Sequence, residues 1–135
     1  MVLNGIKRCL PAFVICFAVF AACSKEDLKI DPDNPLLGTW VQTGYEENSV
    51  IYMRSSRLRD DGPGMVIQAD GRVVLRGIAG WCGTPPVSYA NYEGRWSKSG
   101  PVLRTTVHYQ WMPEASVQEQ EIVSVDSKRL VLAYR

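Results

Sequence analysis

From residue 36 onward the chain is a series of short apolar–polar runs broken by turn residues, with no sustained helical period. Thr39 to Tyr45 is expected as the first strand. Met65-Val66-Ile67-Gln68 and Val73-Val74-Leu75-Arg76 flank Ala69-Asp70-Gly71-Arg72. The Asp-Gly pair there predicts a hairpin whose two central residues both take positive φ. Val87 to Ser97, rich in Tyr and Trp, stops at Lys98-Ser99-Gly100-Pro101. Val102 to Trp111 keeps a two-residue period, which places Leu103, Thr105, Val107, Tyr109 and Trp111 on one face and Arg104, Thr106, His108 and Gln110 on the other. Met112-Pro113-Glu114-Ala115 makes the next turn, and Ser116 to Val125 pairs with Arg129 to Tyr134 around Asp126-Ser127-Lys128. Val50 to Met53 offers a further strand, and Arg54 to Gly64 reads as a loop.

Seven or eight short strands joined by tight turns predict an all-β fold, a small antiparallel up-and-down barrel or sandwich. Hairpins between sequence neighbours make a meander more economical than a Greek key, and closing the sheet removes its exposed edges.

The first 22 residues follow a different rule. A basic start carrying Lys7 and Arg8 leads into Cys9 to Ala22, where thirteen of fourteen residues are apolar and none is charged. That run is too short to span a bilayer of ~30 Å but has the length of a secretory signal's apolar segment. It ends in Phe20-Ala21-Ala22-Cys23, which resembles the lipobox of bacterial lipoproteins. The resemblance implies cleavage before Cys23 and lipidation of that residue by palmitate-type acyl chains. The protein is then held to the cell envelope, on the outer membrane, by its N-terminal anchor rather than by a span. Each buried methylene contributes about 0.8 kcal/mol, so two or three chains suffice. Residues 23–35, with Asp31-Pro32-Asp33-Asn34-Pro35, form a tether without periodicity, and the domain occupies residues 36–135. Ser24-Lys25-Glu26-Asp27 resembles the charged segment of surface-exported Bacteroidetes lipoproteins, and is equally well a solvated linker.

Separating the leader changes the composition. All three Phe leave with it, and the remaining 113 residues carry 13 basic and 14 acidic side chains. A near-neutral body has no electrostatic footprint for nucleic acid. Of the four cysteines, Cys9 and Cys16 go with the leader, Cys23 takes lipid, and Cys82 remains as a lone thiol in Gly80-Trp81-Cys82-Gly83-Thr84-Pro85-Pro86. It is either reactive or, more economically, an inert buried thiol.

The strand sequences also carry a resemblance. Leu37-Gly38-Thr39-Trp40 resembles the Gly-x-Trp signature of lipocalins. Gly94-Arg95-Trp96 followed by Gly100-Pro101-Val102-Leu103 is similar to the middle hairpin of small bacterial lipocalin-like lipoproteins, and Glu121 to Val125 with Arg129 to Leu132 is similar to their last strand pair. The resemblance implies a barrel with Trp40 at its floor and a small hydrophobic or amphipathic ligand in its mouth. The body is shorter than the lipocalins, so a small, open or absent cavity is expected, and with Arg135 directly after the last strand the usual C-terminal helix is not expected. Trp40, Tyr92, Trp96, Tyr109 and Trp111 are the candidate lining. Each has a polar tip, and each is equally explained as a core residue whose tip reaches the rim. The competing function is an interaction module that docks on an envelope protein through the loop bearing Trp81.

The inventory for catalysis is thin. His108 is the only histidine, so no multi-histidine metal site is expected, and it falls on the polar face of its strand. No phosphate-binding glycine loop or nucleophile elbow is present. Glu119 and Glu121 share a face, most simply a solvated stripe. Arg54, Arg57 and Arg59 form a basic cluster that Asp60 and Asp61 neutralise locally. The expectation is a binding protein that is not an enzyme and needs no cofactor or metal.

Overall fold

A computed structural model describes residue 31, residues 33–79 and residues 87–135 of the chain. It contains eight strands: β1 (Gly38–Glu46), β2 (Ser49–Ser55), β3 (Gly64–Ile67), β4 (Arg72–Ile78), β5 (Tyr89–Ser99), β6 (Val102–Val107), β7 (Ser116–Val125) and β8 (Arg129–Tyr134). They close into one antiparallel barrel in the order β1-β2-β8-β7-β6-β5-β4-β3. The all-β barrel read from the alternation is therefore the fold.

The strand order refines the up-and-down expectation. From β3 to β8 the chain is a meander, each strand pairing with the next. The β1–β2 hairpin is turned over, so that β1 pairs with β3 and β2 with β8. Residues 56–63 carry the chain from β2 past β1 to β3. They are tied down by the Gln42 amide donating to the Pro63 carbonyl (3.1 Å) and by Arg76, which donates to Asp60 O (3.0 Å) on the outer wall.

Two local readings change. The β3–β4 turn has positive φ at Gly71 (85°), while Asp70 keeps negative φ. Gly71 N donates to Gln68 O (3.3 Å) and Gln68 N to Arg72 O (3.0 Å). This is the three-residue hairpin loop, a type I turn closed by a left-handed glycine, rather than a two-residue type I′ turn. The strand expected to run on to Trp111 stops at Val107. The chain then turns, with Met112 N donating to Tyr109 O (3.0 Å), and this carries Tyr109 and Trp111 out of the sheet.

The barrel interior is apolar in its lower half. Leu36, Trp40, Met65, Ile67, Val73, Leu103, Leu130 and Leu132 form one buried cluster, joined by Tyr92 and Val107 higher up. Trp40, wholly buried, stands in register between Arg54 of β2 and Met65 of β3. Its indole donates to Leu36 O (2.8 Å). Arg54 crosses beneath it. Its guanidinium carbon lies 4.3 Å from the Trp40 ring centroid, and its nitrogens donate to the carbonyls of Leu37 (2.6 Å), Ser127 (2.7 Å) and Pro35. Burial lowers the Arg54 pKa from its ordinary value, while Asp126 opposes the shift. One end of the barrel is thus plugged, and residues 33–37 enter at that end.

Candidate functional site

The upper half of the barrel has a different lining. Inward positions there are occupied by Gln42 of β1, Tyr52 of β2, Thr105 of β6, and Gln118 and Gln120 of β7, with Met65 and Leu75 below them. Together with Tyr109 and the backbone-near residues Pro63, Gly64 and Gly77 they line a cavity of about 120 Å³ that is open on one side. Thr105 is 4% exposed and Gln120 7%. The alternation that puts Leu103 and Val107 in the core puts Thr105 between them, and the same rule puts Gln120 inward between Glu119 and Glu121, while Gln118, on the same face, is exposed at the open end. Glu119 duly meets Arg104 on the outside, at 3.9 Å.

The side-chain hydrogen bonds of the barrel's interior residues lie elsewhere, at the floor (Trp40, Arg54), at the β3–β4 turn (Trp96 to Gln68 O, 2.7 Å) and at the rim (Tyr92 to Ile78 O, 3.0 Å), and the others among the described residues are on the outer surface. Arg76 Nε is the single fully buried side-chain polar atom without a partner among the described residues. The amides and hydroxyls of the lining are therefore not sealed into the packing. They face the cavity space. Arg76 also borders the cavity, but its guanidinium is engaged by Asn91 Oδ1 (2.9 Å) and Asp60 O on the outer wall.

Two phenols, Tyr52 and Tyr109, line this cavity. Burial pushes Tyr52 well above the ordinary tyrosine value, and neighbouring Tyr134 and Tyr45 add to the shift. Burial also raises Tyr109, helped by Tyr92, and Tyr134, helped by Tyr45. All three phenols are thus neutral hydrogen-bonding groups at physiological pH.

Above the cavity sits an aromatic cluster. Tyr92 and Tyr109 meet edge to face with centroids 4.8 Å apart, Tyr92 meets Trp111 at 5.2 Å, and Tyr109 stacks on Trp111 at 5.1 Å. Tyr92 is buried, Tyr109 half-buried and Trp111 exposed, so the cluster runs from the interior to the rim. Exposed Ile78, Val87 and Met112 belong to the chain segments at this same end.

The five expected lining residues therefore separate into two groups. Tyr92, Tyr109 and Trp111 come together at the mouth. Trp40 and Trp96 lie toward the plugged end, where their indoles are spent on backbone carbonyls. Cys23, Trp81 and Cys82 fall outside the described residues, and so does the docking loop built on Trp81. His108 is exposed on the loop after β6.

The basic cluster also comes apart. Arg54 belongs to β2 and plugs the floor, while Arg59 pairs with Asp61 (3.0 Å) in the crossing loop. That pair is exposed, and its hydrogen bond holds the Asp61 carboxyl below the ordinary aspartate range. No group of three or more His, Cys, Asp and Glu positioned for a metal occurs among the described residues. No family model, no curated protein and no solved structure matches the chain.

Proposed function

We propose that this chain is a lipoprotein anchored through Cys23 to the outer membrane, and that its lipocalin-like barrel binds a small hydrophobic or amphipathic ligand at the mouth without transforming it. The basic leader, its apolar run and the Ala-Ala-Cys ending support the anchor. The observation that carries the binding function is the interior cavity of about 120 Å³ beneath the Tyr92–Tyr109–Trp111 cluster, at the end opposite the plugged floor. The chain enters at that floor, so the mouth lies away from the tether. A lone histidine and a solitary thiol outside the leader give no catalytic constellation to work with.

Native mass spectrometry of the protein purified from its own envelope tests both parts. A discrete small-molecule adduct and an acylated Cys23 at the mature N-terminus are expected. An unmodified or differently cleaved N-terminus overturns the anchor, and the absence of any adduct removes the ligand.

One observation favours the docking reading. The cavity is smaller than the roughly 300–1,000 Å³ of ordinary ligand sites, while Trp111, Met112, Ile78 and Val87 leave apolar surface exposed at the same end. Site-specific cross-linking from position 112, exposed at the same rim, discriminates in the envelope. A single protein product lost in Trp111→Ser favours docking.

A further inference from the structure

The lining of the cavity says more about the ligand than its rim does. Six residues supply hydrogen-bonding groups to it: Gln42, Tyr52, Thr105, Tyr109, Gln118 and Gln120. Three are primary amides, each with two donors and a two-lone-pair acceptor, and three are hydroxyls. None is charged, and the three tyrosines around the mouth with raised pKa are held neutral. The one charged residue at the wall among the described residues, Arg76, directs its guanidinium outward to Asn91 and Asp60.

An evolved apolar calyx would place Leu, Val or Phe at these positions, as the lower half of this barrel does. Instead Gln120 and Thr105, both more than nine-tenths buried, present polar groups to an interior space. Neither group is sealed off without a partner, so the space they face is reached by water, and each is met there by water or by a ligand. The volume equals about four water molecules at ~30 Å³ each. That size suits a compact head group better than an acyl chain. The apolar surface available to the rest of an amphipathic molecule is outside, on Trp111 and the exposed residues of the rim.

We infer that the cavity selects an uncharged, hydrogen-bonding head group, an amide or a small polyol, with the apolar part of the ligand lying across the aromatic rim. The inference rests on the ligand-binding reading above and specifies which end of the molecule enters the barrel. A carboxylate or phosphate would meet amide and hydroxyl donors, but the one cation at the described wall, Arg76, already spends its two terminal nitrogens on Asn91 and Asp60. An ammonium would find no carboxylate among the described lining residues. Only a neutral head can exchange its water for these amides and hydroxyls without an uncompensated charge.

Three soluble probes of matched chain length test this: hexanamide, hexanoate at pH 8 and hexylammonium. Binding is measured by calorimetry on the full chain, matured in a bacterial host and held in lipid nanodiscs so that no detergent competes. Hexanamide is expected to bind at least about tenfold more tightly than either ion, since an unpaired buried charge costs more than one power of ten. Gln120→Leu should remove that preference while leaving the rim able to hold the chain. Gln118→Leu, nearer the surface, makes the same point if the first variant folds poorly. Equal affinity for all three probes, or preference for an ion, overturns the head-group assignment and leaves ligand binding standing. Failure of every probe to bind means that the cavity holds water only, and it removes both.

Discussion

Arg54 and Trp40 close the floor of the barrel as a unit. The guanidinium carbon lies 4.3 Å from the indole centroid, and the same guanidinium ties β2 to the carbonyls of Pro35, Leu37 and Ser127. Those three carbonyls belong to the entering chain and to the β7–β8 turn, segments distant in sequence that otherwise share no strand pairing. One side chain therefore fixes the entry of the chain, the first hairpin and the last hairpin against each other. Asp126, which orders that same turn through bonds to the amides of Lys128 and Arg129 (both 2.7 Å), supplies the nearby negative charge.

Replacing Arg54 with Met keeps a long apolar stem under the indole but leaves the three carbonyls without their donor. A loss of about 2–4 kcal/mol is expected, because hydrogen bonds to a charged group contribute roughly 1.5–3 kcal/mol each and the carbonyls regain some water. Arg54→Lys should recover a minority of it, since an ammonium cannot fork to several carbonyls or lie flat on the ring. Urea unfolding followed by Trp fluorescence measures both. Stability of Arg54→Met equal to wild type would show the plug to be ornamental.

The strands β4 to β8 are readable because each is a short β-type run bounded by a turn that carries Gly, Pro or Asp, and β6 alternates cleanly. The placement of the β1–β2 hairpin was not readable. A hairpin specifies which two strands pair with each other, and alternation says which face is buried, but neither says which edge meets β3. The charge of Arg54 suggests a solvated loop, although Val50, Tyr52 and Arg54 continue a single inward period. Gln120 is masked the same way: the glutamates on either side point to the outer face, and the buried amide between them lines the cavity. The aromatic cluster was half legible. Composition singled out Tyr92, Tyr109 and Trp111, but only the turn after Val107 brings them within 5.2 Å of each other.

Gly94 sits on β5 directly opposite Val107. A Cβ there would collide with the Thr106 carbonyl and come within 2.8 Å of the Val107 side chain, so β5 and β6 approach as they do only because position 94 is bare. Gly94→Ala should cost about 1–3 kcal/mol through forced backbone displacement. Gly44→Ala is the matched control, because nothing lies within 4 Å of its Cβ position. The two variants compared by thermal unfolding separate crowding from any general effect of removing glycine from a strand.

Glu47, in the β1–β2 turn, is the one described non-glycine residue with positive φ (52°). That conformation costs a side-chain-bearing residue of the order of 1 kcal/mol, partly offset by the lower unfolded-state entropy it has relative to glycine. Glu47→Gly is therefore expected to raise stability by up to about 1 kcal/mol, and Glu47→Val, branched at Cβ, to lower it. Equilibrium unfolding of the pair gives the sign. A stabilising valine would mean that the turn relaxes to another conformation.

Tyr52 makes the barrel sensitive to alkali. Its folded pKa is raised above the ordinary value of 10.0, first by burial and then by Tyr134 and Tyr45, so the neutral phenol is the form the fold tolerates. Because the folded value exceeds the unfolded one, the contribution of Tyr52 is fully present below pH 10 and declines as pH rises toward the folded pKa. Above pH 10 the unfolded chain ionises while the folded chain does not. Stability should then fall by about 1.4 kcal/mol per pH unit on account of this one group. Tyr109 and Tyr134, shifted in the same direction, steepen the decline. Tyr52→Phe keeps the ring and removes the proton, so its stability measured between pH 8 and 11 should fall less steeply than that of the parent. Titration of tyrosinate absorbance in the folded protein gives the independent check: one phenol that resists ionisation in the parent is expected to be missing in the variant. Identical slopes in the two proteins would mean that Tyr52 is solvated, and that the upper barrel is wetter than its packing implies.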